Sequence, residues 1–122
     1  MPFVTVDHAP GISDGQRLDL QQRLARVVME TFDAPPGNVR VFTRAIDPAT
    51  IYMGDGRTDL ALPIIRVEFI TGRNVHQKRA LVKGLAEVAA DVLQIPVDQV
   101  RTVLFDQPLT EWARGARLMA DQ

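Results

Sequence analysis

Pro2 is the residue whose chemistry would change most if the chain start were processed. A small residue after an initiator methionine usually permits its removal, which would leave a secondary amine at the beginning of a predicted strand. The pKa of a chain-start amine is about 8. Burial beside cations lowers this pKa towards the range in which a general base works at neutral pH. The competing interpretation is structural, because a proline suits the first position of a strand.

Arginines form the second group of candidates. A base that removes a proton alpha to a carbonyl requires positive donors that hold a substrate carboxylate and stabilise the enolate. Arg73 directly follows Gly72 in a predicted turn, whereas Arg40 and Arg101 lie early in two predicted strands. Arg73 is therefore the leading candidate, with Arg40 or Arg101 completing the binding site.

Two aromatic residues and two histidines remain. Tyr52 and Trp112 could form an apolar wall that desolvates Pro2 and lowers its pKa, although packing alone would also explain them. His8 and His76 have no visible partner in the sequence, so both are predicted to lie at the surface.

Composition and charge exclude several other functions. The 122 residues, 46% of them hydrophobic, predict a single domain over 1–122. The net charge of -1 argues against nucleic acid and anionic membranes as partners, and the absence of cysteine excludes thiolate metal sites. No cofactor or metal is predicted. Neither a membrane span nor a signal peptide is visible, which predicts a cytoplasmic protein.

An internal repeat with an offset of 61 positions divides the chain into pseudo-repeats 1–61 and 62–122. Twelve pairs of residues are identical at this offset, whereas chance would give about three or four. They include Pro2/Pro63, Gly11/Gly72, Gln16/Gln77, Pro35/Pro96 and Arg40/Arg101. Two copies are too few for a solenoid, so the pattern indicates a duplicated unit sharing one core.

Each repeat is predicted to contain a strand, a helix and a second strand. Alternating β-branched stretches predict the first strands at 3–6 and 64–69, and similar stretches predict the second strands at 39–42 and 100–104. Between them, apolar residues recur at spacings of three and four, which gives each helix one apolar stripe.

The helix starts carry their own signals. Ser13 with Gln16, and Asn74 with Gln77, have the spacing of capping boxes. Two strands joined through a helix run parallel with a right-handed crossover. The predicted fold class is α/β, in a two-layer α+β arrangement of tandem β-α-β repeats with a four-stranded sheet and two helices on one face. Other subunits would have to cover the opposite sheet face.

This ordered set of features resembles the tautomerase superfamily over nearly the whole chain. The segment DAPPGNVRV at 33–41, the Gly72-Arg73 turn and a Trp-x-x-Gly tail are similar to 4-oxalocrotonate tautomerase. The resemblance implies two fused units, an N-terminal proline base at Pro2, carboxylate-binding arginines at Arg73 and at Arg40 or Arg101, and a homotrimer. The implied activity is keto-enol tautomerisation of a 2-hydroxy-dienoate or an aryl-pyruvate enol.

Departures from the family pattern bear on the reaction. Ile12 stands where single-unit tautomerases have an arginine, which implies one site per chain. The aspartate of the family's decarboxylases would fall on Asn38, a candidate substrate-binding residue that could equally begin a strand after a Pro-Gly turn. A decarboxylase, dehalogenase or hydratase of three-carbon acids is the alternative. A chain that retains Met1 would be a non-catalytic trimeric member.

Overall fold

Each half of the chain folds as a strand, a helix and a second strand, followed in the second half by a short hairpin. The structure is a computed structural model that describes residues 1–57 and 61–122. Its strands and helices, in chain order, are β1 (Phe3–His8), α1 (Asp14–Phe32), β2 (Arg40–Ala45), β3 (Ile64–Ile70), α2 (Val75–Leu93), β4 (Arg101–Gln107), β5 (Ala113–Arg114) and β6 (Arg117–Leu118). None of the helices described is long and apolar enough to cross a membrane.

The two long helices begin at the predicted capping boxes. The Ser13 hydroxyl accepts a hydrogen bond from the Gln16 backbone N–H at 3.1 Å, and the Gln16 side chain accepts one from the Ser13 N–H at 2.9 Å. Asn74 and Gln77 make the same reciprocal pair. Four N–H groups at the helix starts, which have no partner within the helix, are thereby satisfied.

The direction of the strands determines where the repeats meet. The sheet order is β2-β1-β3-β4, with β1 parallel to β2, β3 parallel to β4, and the central strands β1 and β3 antiparallel. Phe3 is therefore paired with Glu68 near the end of β3, and Asp7 with Ile64 at its beginning. Equivalent residues near the strand ends consequently lie at opposite ends of the sheet, whereas the equivalent residues Thr5 and Arg66 pair at its centre.

Both helices pack on one face of this sheet, which confirms the predicted fold. The fully buried core residues come from both repeats: Val4, Val6, Leu20, Leu24, Ile65, Val67, Leu81 and Leu85. The helices also approach each other closely at Gly84, where an added Cβ would lie 2.7 Å from a methyl group of Val27. The opposite sheet face stays largely open, with Phe42 50%, Val103 46% and Phe105 37% exposed.

Asp7 is a buried charge that faces two arginines on neighbouring strands. The Arg44 guanidinium donates to both Asp7 carboxylate oxygens at 2.7 and 3.0 Å, and Arg66 donates to one of them at 2.7 Å. Burial alone would raise the pKa of the Asp7 carboxyl. The hydrogen bonds from Arg44 and Arg66 outweigh burial and hold this pKa below its ordinary value.

The contribution of Asp7 to the free energy of unfolding should therefore decrease as the pH falls into the acid range. Because the folded-state pKa is lowered, Asp7 contributes stability that is complete above the unfolded-state pKa of about 3.9 and is lost as the pH falls through the folded-state value. Asp7→Asn should destabilise the protein at neutral pH, and its deficit relative to wild type should shrink in acid. Urea denaturation over a pH series measures this. Asp98→Asn, at an exposed position, is the control, and a constant deficit for Asp7→Asn would contradict the prediction.

Candidate active site

The chain start lies at the end of the sheet where β1 begins and the antiparallel β3 ends. Pro2 is fully buried, and its carbonyl accepts a hydrogen bond from the Arg40 backbone N–H at 3.2 Å. Because β3 runs antiparallel to β1, the turn that follows β3 carries Arg73 to the same place. The pKa of the Met1 amine is lowered by burial and then by the positive charges of Arg73 and Arg40. Burial, Arg73 and Arg40 thus disfavour a protonated amine at this chain start.

Arg73 is positioned from both sides. It follows Gly72, whose φ of +129° is rarely adopted by a residue with a side chain. One terminal nitrogen of Arg73 donates to the Phe32 carbonyl at the end of α1 at 3.0 Å, and the guanidinium carbon lies 5.1 Å from the Phe32 ring centroid. No acidic partner of Arg73 is found within 1–57 and 61–122. Its remaining N–H donors can therefore bind an external anion.

Arg40 is held in a similar way. Its guanidinium carbon lies 5.4 Å from the centroid of the Phe3 ring, within the range of a cation-π contact. In the part of the chain that the structure describes, Arg40 forms no ion pair, whereas Arg44 and Arg66 are both paired with Asp7. Two arginines without carboxylate partners thus converge on the chain start, which is the arrangement that a substrate carboxylate requires.

Trp112 supplies an apolar wall next to these residues. Its ring centroid lies 5.0 Å from that of Phe3, and the residue is only 8% exposed. Trp112 reaches this position because it follows β4, and β4 runs towards the end of the sheet at which β1 begins. Its indole N–H is buried and has no hydrogen-bond partner among the described residues.

Asn38 lies close in sequence to this end of the sheet, in the short 3-10 turn Pro36–Asn38 that precedes β2. Its backbone N–H donates to the Pro35 carbonyl at 2.9 Å, and its side chain is exposed. It therefore ends a turn rather than beginning the strand, which starts two residues later at Arg40.

The structure does not bring Arg101 and Tyr52 to the chain start within one chain. Arg101 donates its backbone N–H to the Pro63 carbonyl at 3.2 Å, at the opposite end of the sheet. Tyr52 follows the end of β2, beyond the His8 end of β1, and is 84% exposed. Within one chain, Tyr52 and Trp112 therefore lie at opposite ends of the sheet, because antiparallel β1 and β3 separate equivalent positions.

The sequence predicts the wrong location for His8 and does not indicate a role for Phe3 or Phe32. His8 is buried at the end of β1, with Nδ1 2.8 Å from the Ala9 carbonyl, so its predicted surface location is wrong; His76 is exposed. Phe3 and Phe32, whose rings contact Arg40 and Arg73, were not singled out. A comparison of the two repeats could have identified Phe32, because the second repeat has the non-aromatic Leu93 at the equivalent position.

Known proteins are similar to this chain in sequence and in fold. A family model described as "Tautomerase enzyme" matches twice, at residues 2–59 and 63–122. A probable tautomerase of Halalkalibacterium halodurans is 31% identical over 61 residues, which are half of this chain and all of that protein. Among solved structures, the asymmetric trimer of the R7 fused 4-OT is 29% identical, with a TM-score of 0.91 and coverage of 98% of this chain and 97% of that one. Pt0534, solved after inactivation by 2-oxo-3-pentynoate, is 26% identical with a TM-score of 0.86, covering 98% and 96%. With both repeats matched by the family model, this chain belongs to the tautomerase family.

Proposed function

We propose that this protein is a keto-enol tautomerase of a small enol carboxylic acid and that Pro2 becomes its N-terminal general base when Met1 is removed. The convergence of Arg40 and Arg73 on the chain start carries the proposal. Both guanidinium groups are oriented by an aromatic ring, and neither is neutralised by an acid in the described chain. A 2-hydroxy-dienoate or an aryl-pyruvate enol supplies the matching carboxylate.

The proposed reaction moves one proton within the substrate. Arg73 and Arg40 hold the carboxylate through charge-assisted hydrogen bonds. The Pro2 nitrogen takes the proton from the enol hydroxyl, and the resulting ammonium returns it to carbon as the carbonyl forms, so nothing is lost or consumed. Burial and the two arginines, which lower the pKa of the Met1 amine, would act on the Pro2 nitrogen in the same direction and favour its unprotonated form, and Trp112 helps to exclude water.

A substrate panel tests the reaction class. The intact mass should first establish that Met1 is absent from the purified protein. Ketonisation of phenylenolpyruvate or 2-hydroxymuconate, followed by ultraviolet absorbance, is the expected result. An acetylenic or halogenated three-carbon acid tests the lyase and dehalogenase alternative. Release of carbon dioxide or halide without any ketonisation would overturn the proposal.

We also propose a homotrimer. The R7 fused 4-OT is a trimer, and the open sheet face of this chain exposes Phe42, Val103 and Phe105, which a neighbouring chain would cover. Sedimentation equilibrium should give the mass of three chains. Val103→Asp should dissociate the assembly, whereas Val97→Asp, at a position that is 47% exposed and outside this face, should not. A monomeric wild-type protein would contradict the proposal. The cytoplasmic location stays a prediction of the sequence.

A further inference from the structure

A cavity lies at the other end of the sheet, beside Pro63. Its volume is about 400 Å³, within the range of about 300–1,000 Å³ that is typical of small-molecule sites. The turn at Gly11 and Ile12, the end of α2 at Leu93 and the following Ile95 line it together with Pro63. Pro2, Arg40, Arg73 and Trp112 are not among its lining residues.

This cavity is the internal counterpart of the candidate active site. Its lining residues are 61 positions away from residues at the chain start. The pairs that matter most are Pro2/Pro63, Arg73/Ile12, Phe32/Leu93 and Asn38/Gln99. The backbone matches as well, because Gly11 and Gly72 both hold positive φ angles of 106° and 129°. The cavity therefore occupies the position in the second repeat that is equivalent to the candidate active site, and the side chains there have changed.

The changed side chains remove the base and the cation of Arg73, whereas Arg101, the equivalent of Arg40, does not line the cavity and donates to the Asp98 carbonyl at 2.6 Å. Pro63 is an internal amide without a basic nitrogen, and Ile12 stands where the active-site counterpart has Arg73. None of the twelve residues that line the cavity carries a charge. A carboxylate would therefore lose its hydration without gaining a positive partner, which is strongly unfavourable. The cavity suits a neutral ligand.

Gln16 provides one polar contact at the edge of this cavity. Its side-chain oxygen accepts the Ser13 N–H at 2.9 Å, which fixes the amide and leaves its NH₂ group without a partner in the described residues. In the other repeat, the NH₂ group of Gln77 donates to the Thr31 carbonyl at 3.4 Å. The donor of Gln16 is thus available to a ligand, whereas that of Gln77 is used within the protein.

We propose that the cavity beside Pro63, hereafter the Pro63 cavity, binds a small neutral molecule that has an apolar, ring-sized body and a carbonyl or hydroxyl acceptor for Gln16. The apolar body packs against Ile12, Leu93 and Ile95. This binding site is separate from the proposed tautomerase site and does not require Pro2 to be catalytic.

Benzamide and benzoate test this proposal, because they are nearly equal in size and differ in charge. Methyl NMR of the intact protein reports on the Pro63 cavity through Ile12, Leu93 and Ile95. Benzamide should shift these methyl signals in a saturable way, and benzoate should bind at least about tenfold more weakly. Absence of any response to benzamide, as expected if a neighbouring chain fills the cavity, or equal binding of both probes would overturn the proposal.

Two variants sharpen the test. Ile12→Arg restores the residue found at the equivalent turn and should reverse the preference towards benzoate. Gln16→Glu keeps the acceptor of the capping box but removes the NH₂ donor, and should weaken benzamide binding about tenfold. An unchanged preference in Ile12→Arg would contradict the charge argument. Pro2→Ala should leave benzamide binding at these methyl groups unchanged, so failure of the tautomerase proposal and failure of this one are distinguishable.

Discussion

Pro2→Ala should lower kcat/KM for ketonisation of an enol acid by about 10²–10⁴-fold, the usual range for loss of a positioned general base. Alanine also permits removal of Met1, so the variant still presents a chain-start amine. That amine is primary and lacks the ring that fixes the nitrogen of Pro2 in the core. Steady-state kinetics with the best substrate of the panel measures the effect.

Pro63→Ala is the matched control for this prediction. Pro63 occupies the equivalent position in the second repeat and is equally part of the core, but its nitrogen is an amide. Its replacement should leave kcat/KM unchanged even if it lowers stability. Equal losses of activity in both variants would show that the prolines act only on the fold, and the general-base assignment of Pro2 would then be wrong.

A covalent probe gives a readout that does not depend on turnover. Pt0534, a structural relative, was solved after inactivation by 2-oxo-3-pentynoate. If Pro2 is a free and unprotonated amine, its nitrogen should add to the alkyne carbon remote from the ketone, and a proton is taken up at the neighbouring carbon. The protein then gains the mass of one whole reagent molecule. Peptide mapping should locate it on Pro2, and modification only at lysine would contradict the assignment.

Arg73→Gln should have the second largest effect, a fall in kcat/KM of about 10–100-fold, because a charged hydrogen bond to the substrate carboxylate is lost. The pH profile should change as well. The positive charge of Arg73 lowers the pKa of the Met1 amine and should act on a Pro2 amine in the same direction, so its removal should raise the pKa of that base. The acid limb of kcat/KM should therefore move to higher pH, since the amine must be unprotonated to act as a base.

Arg40→Gln should show the same two changes, whereas Arg101→Gln should show neither. Arg40 and Arg101 are equivalent in the repeat, but only Arg40 lies beside Pro2. A lower kcat/KM without any movement of the acid limb would indicate that the arginines bind substrate but do not act on the base. A loss in Arg101→Gln as large as that in Arg40→Gln would contradict the placement of the site within one chain.

The sequence predicted the local structure of this protein well because local signals were strong. The helix starts at Ser13 and Asn74 depend on side chains three residues away, and the strand patterns depend on alternation within a few residues. The common location of both helices followed from the handedness of the β-α-β crossover. The repeat was visible because Gly11 and Gly72 occupy turns with positive φ.

The direction of β1 relative to β3 could not be predicted from the repeat. The offset of the repeat identifies which residues are equivalent, but it does not determine at which end of the sheet each of them lies. For that reason Arg40 and Arg101 were left as alternatives, and Tyr52 was grouped with Trp112. The contact between Arg73 and Phe32 spans 41 positions and both repeats, so no local pattern indicates it. The burial of His8 was missed because the alternation of β1 ends there.

The antiparallel arrangement of β1 and β3 also bears on the history of the duplicated gene. In the proposed site, Pro2 comes from one copy and Arg73 from the other, so neither half holds both groups. Selection for turnover would act jointly on these two positions, while Ile12 and Pro63 would be released from it together. One ancestral sequence could in this way give rise, inside a single polypeptide, to one specialised centre and one that is open to a new role.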